Sequence, residues 1–212
     1  MNLTIYLLRH GETECSRNHA FCGAIDSELT EAGMEMADAF ADAYSSTPWK
    51  AIFCSPMRRT LATAKPLCDA IGIQPQLRDG IKEINYGVWE GKTPEIINRD
   101  FHDDYIRWSA DPAWYAPNGG ELAVTIASRA MAVIEEIKQL YSSGNVLVVT
   151  HKATIRIILC SLLGIDVGRF RYRWGCPVGS VSVVEFTEHG PMLLSSADRS
   201  HLEPRLRTLS GS

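Results

Sequence analysis

The chain has 212 residues, of which 45% are hydrophobic and 22% are charged, a composition typical of a globular domain with a substantial buried core. Its formal net charge of −4 argues against a broad surface for nucleic acid or anionic membranes, and no apolar stretch is long enough to cross a bilayer. We find neither a signal peptide at the start nor a C-x-x-C pair among the six cysteines. We therefore expect a cytoplasmic protein with reduced thiols and with no nucleic-acid or membrane partner.

The first third of the chain alternates between strand and helix patterns. Residues 3–8 are almost continuously apolar, which is typical of a strand that is covered on both faces. A helix with apolar residues at helical spacing follows from Thr30, a suitable N-cap. Residues 51–54 predict a second strand. The Ser55-Pro56 pair directly after it predicts a helix start, with Ser55 as the cap and Pro56 at the first helical position.

The same alternation continues in the second half of the chain. Helical spacing over residues 127–137 is followed by a strand at 146–149, and a further amphipathic helix starts at His151. Residues 181–186 and 192–194 predict a final pair of strands. Because strands that alternate with helices are joined by right-handed crossovers, we predict an α/β fold. Its form is a three-layer α/β/α sandwich with a mostly parallel central sheet.

Residues 92–120 interrupt this rhythm. The segment is rich in Trp, Tyr, Asp and Pro, and an insertion of that length inside a domain is usually a lid or a binding loop. We therefore predict a single domain over residues 1–212, with a partly helical cap insertion at 92–120 that shapes substrate choice. The cap residues Trp108, Trp114 and Tyr115 are expected to pack rather than to stack on a substrate.

Polar side chains follow three of the predicted strands at the points where the strands end. Arg9 and His10 come after the first strand, Arg59 lies one turn into the next helix, and His151 follows the strand at 146–149. The carboxyl ends of parallel strands meet at one edge of a sheet, so we expect these side chains to converge. Guanidinium groups and helix N-termini bind phosphate oxygens, so the cluster predicts a site for a phosphoryl dianion. The histidines lie far apart and no acidic cluster has the spacing of a magnesium site, so we expect no metal and no other cofactor.

The residue types in this cluster suit phosphoryl transfer. A neutral imidazole is a competent nucleophile toward phosphorus, and His10 is the candidate. The leaving alcohol then needs a proton, which a carboxylic acid can supply. Glu83, just before the cap, is the preferred donor. Glu12 is the alternative, although it could instead hold the His10 loop.

Five motifs, in order and at suitable distances, carry a resemblance to a known family. They are Leu7-Leu8-Arg9-His10-Gly11-Glu12-Thr13; Ser55-Pro56 with Arg59; Glu83 followed by Gly87, Trp89, Glu90 and Gly91; Gly120-Glu121; and Val149-Thr150-His151 with Arg156. Over essentially its full length the chain resembles the histidine phosphatase superfamily, in its phosphoglycerate-mutase-like branch. The resemblance implies a phosphohistidine intermediate on His10 and Glu83 as proton donor. It also implies a phosphate pocket of Arg9, Arg59 and His151, and no metal.

Within that superfamily the chain is more similar to the phosphatases than to the mutases. Mutases are longer and carry Arg-His-Tyr-Gly after the acid, whereas residues 84–91 resemble the phosphatase branch and the cap is shorter. Ser200-His201-Leu202 is similar to a pattern in metal-independent phosphoserine and α-ribazole phosphatases. We therefore predict a metal-independent phosphomonoesterase of the histidine acid phosphatase type, acting on a small phosphorylated metabolite such as phosphoserine. A cofactor-dependent phosphoglycerate mutase and a non-catalytic phospho-ligand binding module are the alternatives.

Several positions near these motifs depart from the family pattern. Cys15-Ser16 stands where the family usually has Trp-Asn, and residues 20–23 replace an Arg-x-Gln-Gly stretch, so this part of the pocket is less polar than usual. Cys15 and Cys22 are expected to line the site without acting as nucleophiles. The residues expected to contact the substrate are Ser16, Cys22, Gly23, Tyr86, Lys152 and His201.

Two basic features have competing interpretations. Lys152, where the family commonly has a small or neutral residue, is either a solvated helix residue or a contact to a second acidic group on the substrate. Arg169, Arg171 and Arg173 alternate with aromatic residues. That alternation predicts a half-buried strand with a solvated basic face, or a homodimer contact.

Overall fold

A six-stranded sheet lies at the centre of the computed structural model, which describes residues 2–209 and 211. Its strands are β1 (Leu3–Arg9), β2 (Trp49–Cys54), β3 (Gln76–Leu77), β4 (Gly144–Thr150), β5 (Val181–Thr187) and β6 (Gly190–Asp198). They lie in the order β3-β2-β4-β1-β5-β6. The first four are parallel, β5 is antiparallel to β1, and β6 is antiparallel to β5. The predicted mostly parallel sheet is confirmed.

Helices cover both faces of this sheet. They are α1 (Glu14–Arg17), α2 (Glu31–Tyr44), α3 (Arg58–Ile71), α4 (Pro94–Asp100), α5 (His102–Ala110), α6 (Ala123–Leu140), α7 (Lys152–Leu162) and α8 (Pro204–Arg207). Helices α6 and α7 share a core with Ile5 and Val148 on one face, and α2 and α3 share a core with Leu8 and Val149 on the other. Successive strand residues point to opposite faces, so a strand covered on both sides must be apolar throughout, which explains the run at 3–8. The predicted α/β/α sandwich is confirmed. Within residues 2–209 and 211, no helix combines the length and apolar character needed to cross a membrane.

The helix after β2 begins later than predicted. It starts at Arg58, so the prediction that Ser55-Pro56 opens it is wrong. The backbone N–H of Ser55 donates to the Val149 carbonyl across 3.0 Å, which extends the ladder between β2 and β4, and the Ser55 hydroxyl contacts His151. Ser55 is therefore held by the sheet and by a side chain at its edge, and it is not free to cap α3.

The predicted N-cap of α2 is confirmed. The Thr30 side chain accepts a hydrogen bond from the Gly33 N–H across 3.1 Å, which satisfies one of the unpaired donors at the helix start. The same hydroxyl lies 2.8 Å from Glu12 Oε1. The cap therefore also links α2 to the loop that follows β1.

The basic segment near residue 170 is helical rather than extended. Residues Val167–Tyr172 form a 3₁₀ helix, which overturns the predicted half-buried strand. The Asp166 carboxylate accepts from the Gly168 N–H across 2.9 Å and so starts a helical turn. Phe170 is buried in the core beside α6 and α7, whereas Arg169 is exposed. The predicted homodimer contact stays a prediction.

Residues 92–120 contain α4 and α5, so the segment is partly helical. Trp108 is buried in a cluster with Trp89, as expected of a packing residue. Trp114 and Tyr115 are 67% and 49% exposed, so the prediction that they pack is wrong. The single-domain division and the role of this segment as a cap stay predictions.

Candidate active site

The predicted strand ends meet at one edge of the sheet, beside a cavity of about 560 Å³. His10 directly follows β1, Arg59 is the second residue of α3, and His151 is the N-cap residue of α7. The ring centroids of His10 and His151 lie 5.3 Å apart, and Arg59 Nε donates to His151 Nδ1 across 3.2 Å. Arg9 and Glu83 line the cavity together with His10 and Arg59. The structure therefore brings the five predicted catalytic residues to one place.

His10 is held in one tautomer by its backbone contact. Its Nδ1 lies 2.7 Å from the Gly11 carbonyl oxygen, which can only accept, so Nδ1 carries the proton and Nε2 keeps its lone pair. Burial lowers the pKa of His10 well below its ordinary value, and the charges of Arg59 and Arg9 lower it further. His10 is thus neutral near pH 7 with an unprotonated Nε2, the form that a nucleophile requires.

Glycine is required at position 11 because the loop after β1 approaches the first turn of α2 closely there. A Cβ at Gly11 would lie 2.3 Å from the Gly33 carbonyl oxygen, so only glycine fits without a backbone shift. The Gly11 N–H also donates to Thr63 Oγ1 across 3.0 Å. These contacts fix the carbonyl group that orients His10.

Arg59 is anchored by the backbone of a neighbouring loop. Its two terminal nitrogens donate to the carbonyl oxygens of Ile25 (2.8 Å) and Gly23 (3.0 Å). The Glu90 carboxylate accepts from the N–H groups of residues 23–25 at 2.9–3.2 Å and so holds that loop. Burial lowers the pKa of Arg59, but a guanidinium group remains charged near neutral pH. A permanent positive charge is therefore fixed beside both histidines.

His151 lies in the interior behind this guanidinium group. Because its Nδ1 accepts from Arg59, its Nε2 carries the proton and donates to Ser55 Oγ across 2.9 Å. Burial lowers the pKa of His151 well below its ordinary value, and Arg59 adds to the effect. Both ring nitrogens are engaged within the protein, so the predicted contact with phosphate stays a prediction.

Arg9 supplies a second permanent charge. Its Nη1 donates to the Cys176 carbonyl oxygen across 2.6 Å. Burial lowers the pKa of Arg9 to about 10, so the group is still a cation at neutral pH. Arg9 and Arg59 together favour a dianionic group beside His10.

The Glu83 carboxylate docks on the N-terminus of α7. Its Oε1 accepts from the N–H groups of Ile84 (3.0 Å) and Thr154 (3.2 Å), and its Oε2 accepts from Ala153 (3.1 Å). On the other side, Arg129 donates to the Glu83 carbonyl oxygen across 3.1 Å. The carboxyl group therefore has a fixed position in the cavity wall.

Glu12, the alternative acid, is not part of that wall. Its carboxylate forms an ion pair with Arg17 at 2.7 Å and accepts from the Thr30 hydroxyl. These contacts join the loop after β1 to α1 and α2. They favour the interpretation in which Glu12 holds the His10 loop.

Ser16 lines the cavity with a hydroxyl group that is already engaged. Its Oγ accepts from the Thr13 N–H across 2.9 Å and donates to the Thr13 carbonyl across 3.0 Å, while Thr13 Oγ1 accepts from the Ser16 N–H. This reciprocal cap starts α1. A substrate contact from Ser16 stays a prediction.

Cys15 and Cys22 form a disulfide, so the prediction of reduced thiols is wrong for this pair. A turn after α1, with His19 at a φ of 56°, reverses the chain and brings the two Cα atoms to 6.1 Å. Cys spacing alone does not reveal such a turn. Both cysteines line the cavity, as predicted for the site rim. The other four cysteines are free and buried: Cys54, Cys68, Cys160 and Cys176.

Two predicted substrate contacts lie away from the cavity wall. A Cβ at Gly23 would lie 1.6 Å from the Ile84 carbonyl oxygen, so this glycine is required for close packing of the Arg59 loop. His201 packs edge-on against Phe40 and Tyr44, with ring centroids 5.7 and 5.8 Å away. Both residues therefore have structural contacts within the protein, and their contacts with a substrate stay predictions.

Tyr86 and Lys152, also predicted to bind substrate, do line the cavity. Burial raises the pKa of the Tyr86 hydroxyl, which stays protonated. Burial lowers the pKa of Lys152 to about 7, and the charges of Arg9 and Arg156 contribute. Lys152 is thus half-buried beside other cations, which favours the interpretation as a substrate contact over that of a solvated helix residue.

Two further cations line the same cavity, Arg156 and Arg171, and neither was predicted as a site residue, although Arg156 belongs to the motif at His151. The spacing of Lys152 and Arg156, four residues apart on one helix, could have revealed the first because such residues share a face. Arg171 gave no such signal, since its segment was interpreted as a strand. Its guanidinium carbon lies 4.0 Å from the centroid of the Trp108 ring, which also lines the cavity.

Among residues 2–209 and 211, no three or more His, Cys, Asp and Glu side chains form a group that could hold a metal ion. The expectation of metal-independent chemistry stays a prediction.

Comparisons with known proteins agree with this geometry. Residues 5–199 match the Histidine phosphatase superfamily (branch 1). Phosphoserine phosphatase 1 of Hydrogenobacter thermophilus is 30% identical over 198 residues, which cover 93% of this chain and 93% of that protein. A glucosyl-3-phosphoglycerate phosphatase of Mycolicibacterium vanbaalenii is 29% identical over 192 residues, covering 87% of this chain and 84% of that protein. The solved structure of Bacillus stearothermophilus YhfR has a TM-score of 0.88 at 27% identity, covering 95% of this chain and 100% of that one.

Proposed function

The chain belongs to the histidine phosphatase superfamily and is a phosphoric monoester hydrolase that acts on small phosphate esters, and we propose that it works through a phosphohistidine on His10. The observation that carries this proposal is the neutral His10, with an unprotonated Nε2, in a cavity that it shares with Arg9 and Arg59. Phosphoryl transfer needs little from a protein beyond a positioned nucleophile and fixed charge.

In the first half-reaction, His10 Nε2 forms a bond to phosphorus while the bond between phosphorus and the leaving oxygen breaks. Arg9 and Arg59 balance the negative charge on the phosphoryl oxygens. Glu83, in its protonated form, gives the leaving alcohol its proton. His151 acts as a positioning residue, because it accepts a hydrogen bond from Arg59.

In the second half-reaction, a water oxygen forms a bond to phosphorus while the bond between phosphorus and His10 Nε2 breaks. The Glu83 carboxylate takes a proton from that water, so the acid is regenerated. Inorganic phosphate leaves, and His10 returns to its neutral form. No step of this scheme calls for a metal ion.

We further propose a small phosphorylated metabolite as the substrate, with phosphoserine or a similar ester first. The names of the related phosphoserine and glucosyl-3-phosphoglycerate phosphatases support this class. A cavity of about 560 Å³ is also of the size that holds a metabolite.

Hydrolysis of p-nitrophenyl phosphate tests the proposal. The wild-type protein should turn this ester over in the presence of EDTA, and His10→Ala should reduce turnover to background. Wild-type protein quenched in acid at short times should carry acid-labile, base-stable phosphate on His10. Phosphate binding without turnover would support a non-catalytic module instead. Interconversion of phosphoglycerates with a bisphosphate primer would support a mutase.

A further inference from the structure

The cavity holds more positive charge than one phosphoryl group requires. Arg9 and Arg59 lie beside the nucleophile, and together they can balance a dianion. The described residues that line the cavity include five cationic side chains and two carboxylates: Arg9, Arg59, Lys152, Arg156 and Arg171, with Glu83 and Glu95. The other three cations outnumber the two carboxylates, so positive charge remains after the dianion is balanced, in a protein whose net charge is −4.

The surplus cations come from two elements. Lys152 is the first residue of α7 and Arg156 lies four residues later, so both project from one face of that helix. Arg171 comes from the 3₁₀ helix over Val167–Tyr172 and is held by stacking on Trp108 and by a hydrogen bond of 3.3 Å to Ser109 Oγ. The three cations therefore form a cluster at the cavity wall that two ordered elements hold in place.

Lys152 and Arg156 have no direct ion-pair partner among the residues that the structure describes, although the Glu83 carboxylate acts on both through its charge. The side chains of Lys152 and Arg156 form no hydrogen bond with any residue that the structure describes, and Arg156 Nε is fully shielded without a partner. Burying unpaired cations beside one another is unfavourable, and the lowered pKa of Lys152 reflects that cost. An anionic ligand would relieve it.

We propose that Lys152, Arg156 and Arg171 form a second anion subsite, which selects phosphate esters that carry another negatively charged group. This inference rests on the proposed phosphatase function, because the ester phosphate is placed at His10. The recognised chemistry is an anionic oxygen group, either a carboxylate or a second phosphoryl group. Lys152 and the two guanidinium groups bind such a group by charge and hydrogen bonds.

Matched substrate pairs test the subsite. 3-Phosphoglycerate and glycerol 3-phosphate differ by a carboxylate, and glucose 1,6-bisphosphate and glucose 6-phosphate differ by a phosphoryl group. The wild-type enzyme should prefer the more anionic member of at least one pair by about tenfold or more in kcat/KM, the size expected for loss of one charge-assisted contact. The pair that shows the preference identifies the anion.

The variants Lys152→Met and Arg156→Met should move that preference ratio towards one, and Lys152→Arg should retain it. The ratio cancels any general loss of activity. Lys65→Met is the matched control, since Lys65 is an exposed lysine that pairs with Asp69 outside the cavity, and it should leave the ratio unchanged. A wild-type ratio near one for both pairs, or a ratio unaffected by the variants, would overturn the subsite.

Failure of catalysis is separated from failure of the subsite by a binding experiment. The His10→Ala protein cannot use its nucleophile, so calorimetry can compare its affinity for the two members of each pair. Tighter binding of the more anionic member, lost in the His10→Ala, Lys152→Met double variant, would support the subsite even if the wild-type protein showed no turnover. Equal binding of both members would count against the subsite whatever the activity.

Discussion

The charged residues near the N-terminus of α7 have different electrostatic roles. The free N–H groups of a helix N-terminus attract an anion, and in α7 this place is taken by the Glu83 carboxylate. The charge of a bound phosphoryl group must therefore be met mainly by Arg9 and Arg59. The N–H groups that hold Glu83 are therefore not available to a bound phosphoryl group.

Glu83→Gln tests the role of this carboxyl group. The substitution keeps the shape of the side chain but removes the transferable proton, so we expect turnover of alkyl phosphates to fall roughly 10²–10⁴-fold. Hydrolysis of p-nitrophenyl phosphate should fall much less, because p-nitrophenolate leaves without a proton. Steady-state kcat values for both esters provide the measurement. Equal losses for the two esters would remove Glu83 from the role of proton donor.

At the scale of structural elements, the site depends on loops that carry no catalytic group. Residues 23–25 present carbonyl oxygens to Arg59, and Glu90 holds their N–H groups. Close approaches at Gly11 and Gly23 leave no room for a Cβ atom. Glu90 therefore holds the loop at residues 23–25, and this loop holds the Arg59 side chain. Arg59 in turn orients His151.

The disulfide between Cys15 and Cys22 is a second feature that holds the site in place without carrying a catalytic group. It closes a loop with a sequence separation of 7 that forms part of the cavity wall. The double variant Cys15→Ser, Cys22→Ser should lower the free energy of unfolding by about 2–3 kcal/mol, because a cross-link of this length restricts the unfolded chain. Urea denaturation of the variant and of oxidised wild-type protein gives the difference.

Thiol titration is the control for that experiment. Denatured wild-type protein should show the four free thiols without reductant and all six cysteines after reduction. Dithiothreitol should also bring the stability of the wild-type protein to that of the variant. Six reactive thiols before reduction would mean that the bridge does not form in solution.

At the scale of the whole molecule, the features that follow from local sequence patterns could be predicted, whereas those that depend on tertiary contacts could not. The continuous apolar run at 3–8 predicts a strand covered on both faces, and strand ends predict the convergence of His10 and His151, because both follow from backbone geometry. Arg171 could not be placed, since an alternation of charged and aromatic residues does not distinguish a strand from a short 3₁₀ helix started by an Asp cap. The Cys15–Cys22 bridge likewise depends on a turn that only the folded chain displays.

The buried histidines also make the stability of the whole molecule depend on pH. Burial, with the charges of Arg59 and Arg9, lowers the pKa of both His10 and His151 well below the ordinary value of 6.5. As the pH falls through that value, the unfolded chain binds protons at these positions and the folded chain does not. The free energy of unfolding should therefore decrease by about 1.4 kcal/mol for each histidine between about pH 7.5 and 5.5.

Urea denaturation of wild-type protein and of His10→Gln at both pH values isolates the contribution of His10 to this loss of stability. The variant lacks one of the two groups, so its loss of stability between the two pH values should be smaller by about 1.4 kcal/mol. His189→Gln, at an exposed turn, is the matched control and should behave as the wild type does. Phosphate must be absent from the buffer, because an anion bound at the site would stabilise the folded state and favour protonation of His10. An unchanged loss in His10→Gln would mean that His10 titrates in the folded protein as it does in the unfolded chain, and it would contradict the lowered pKa of this histidine.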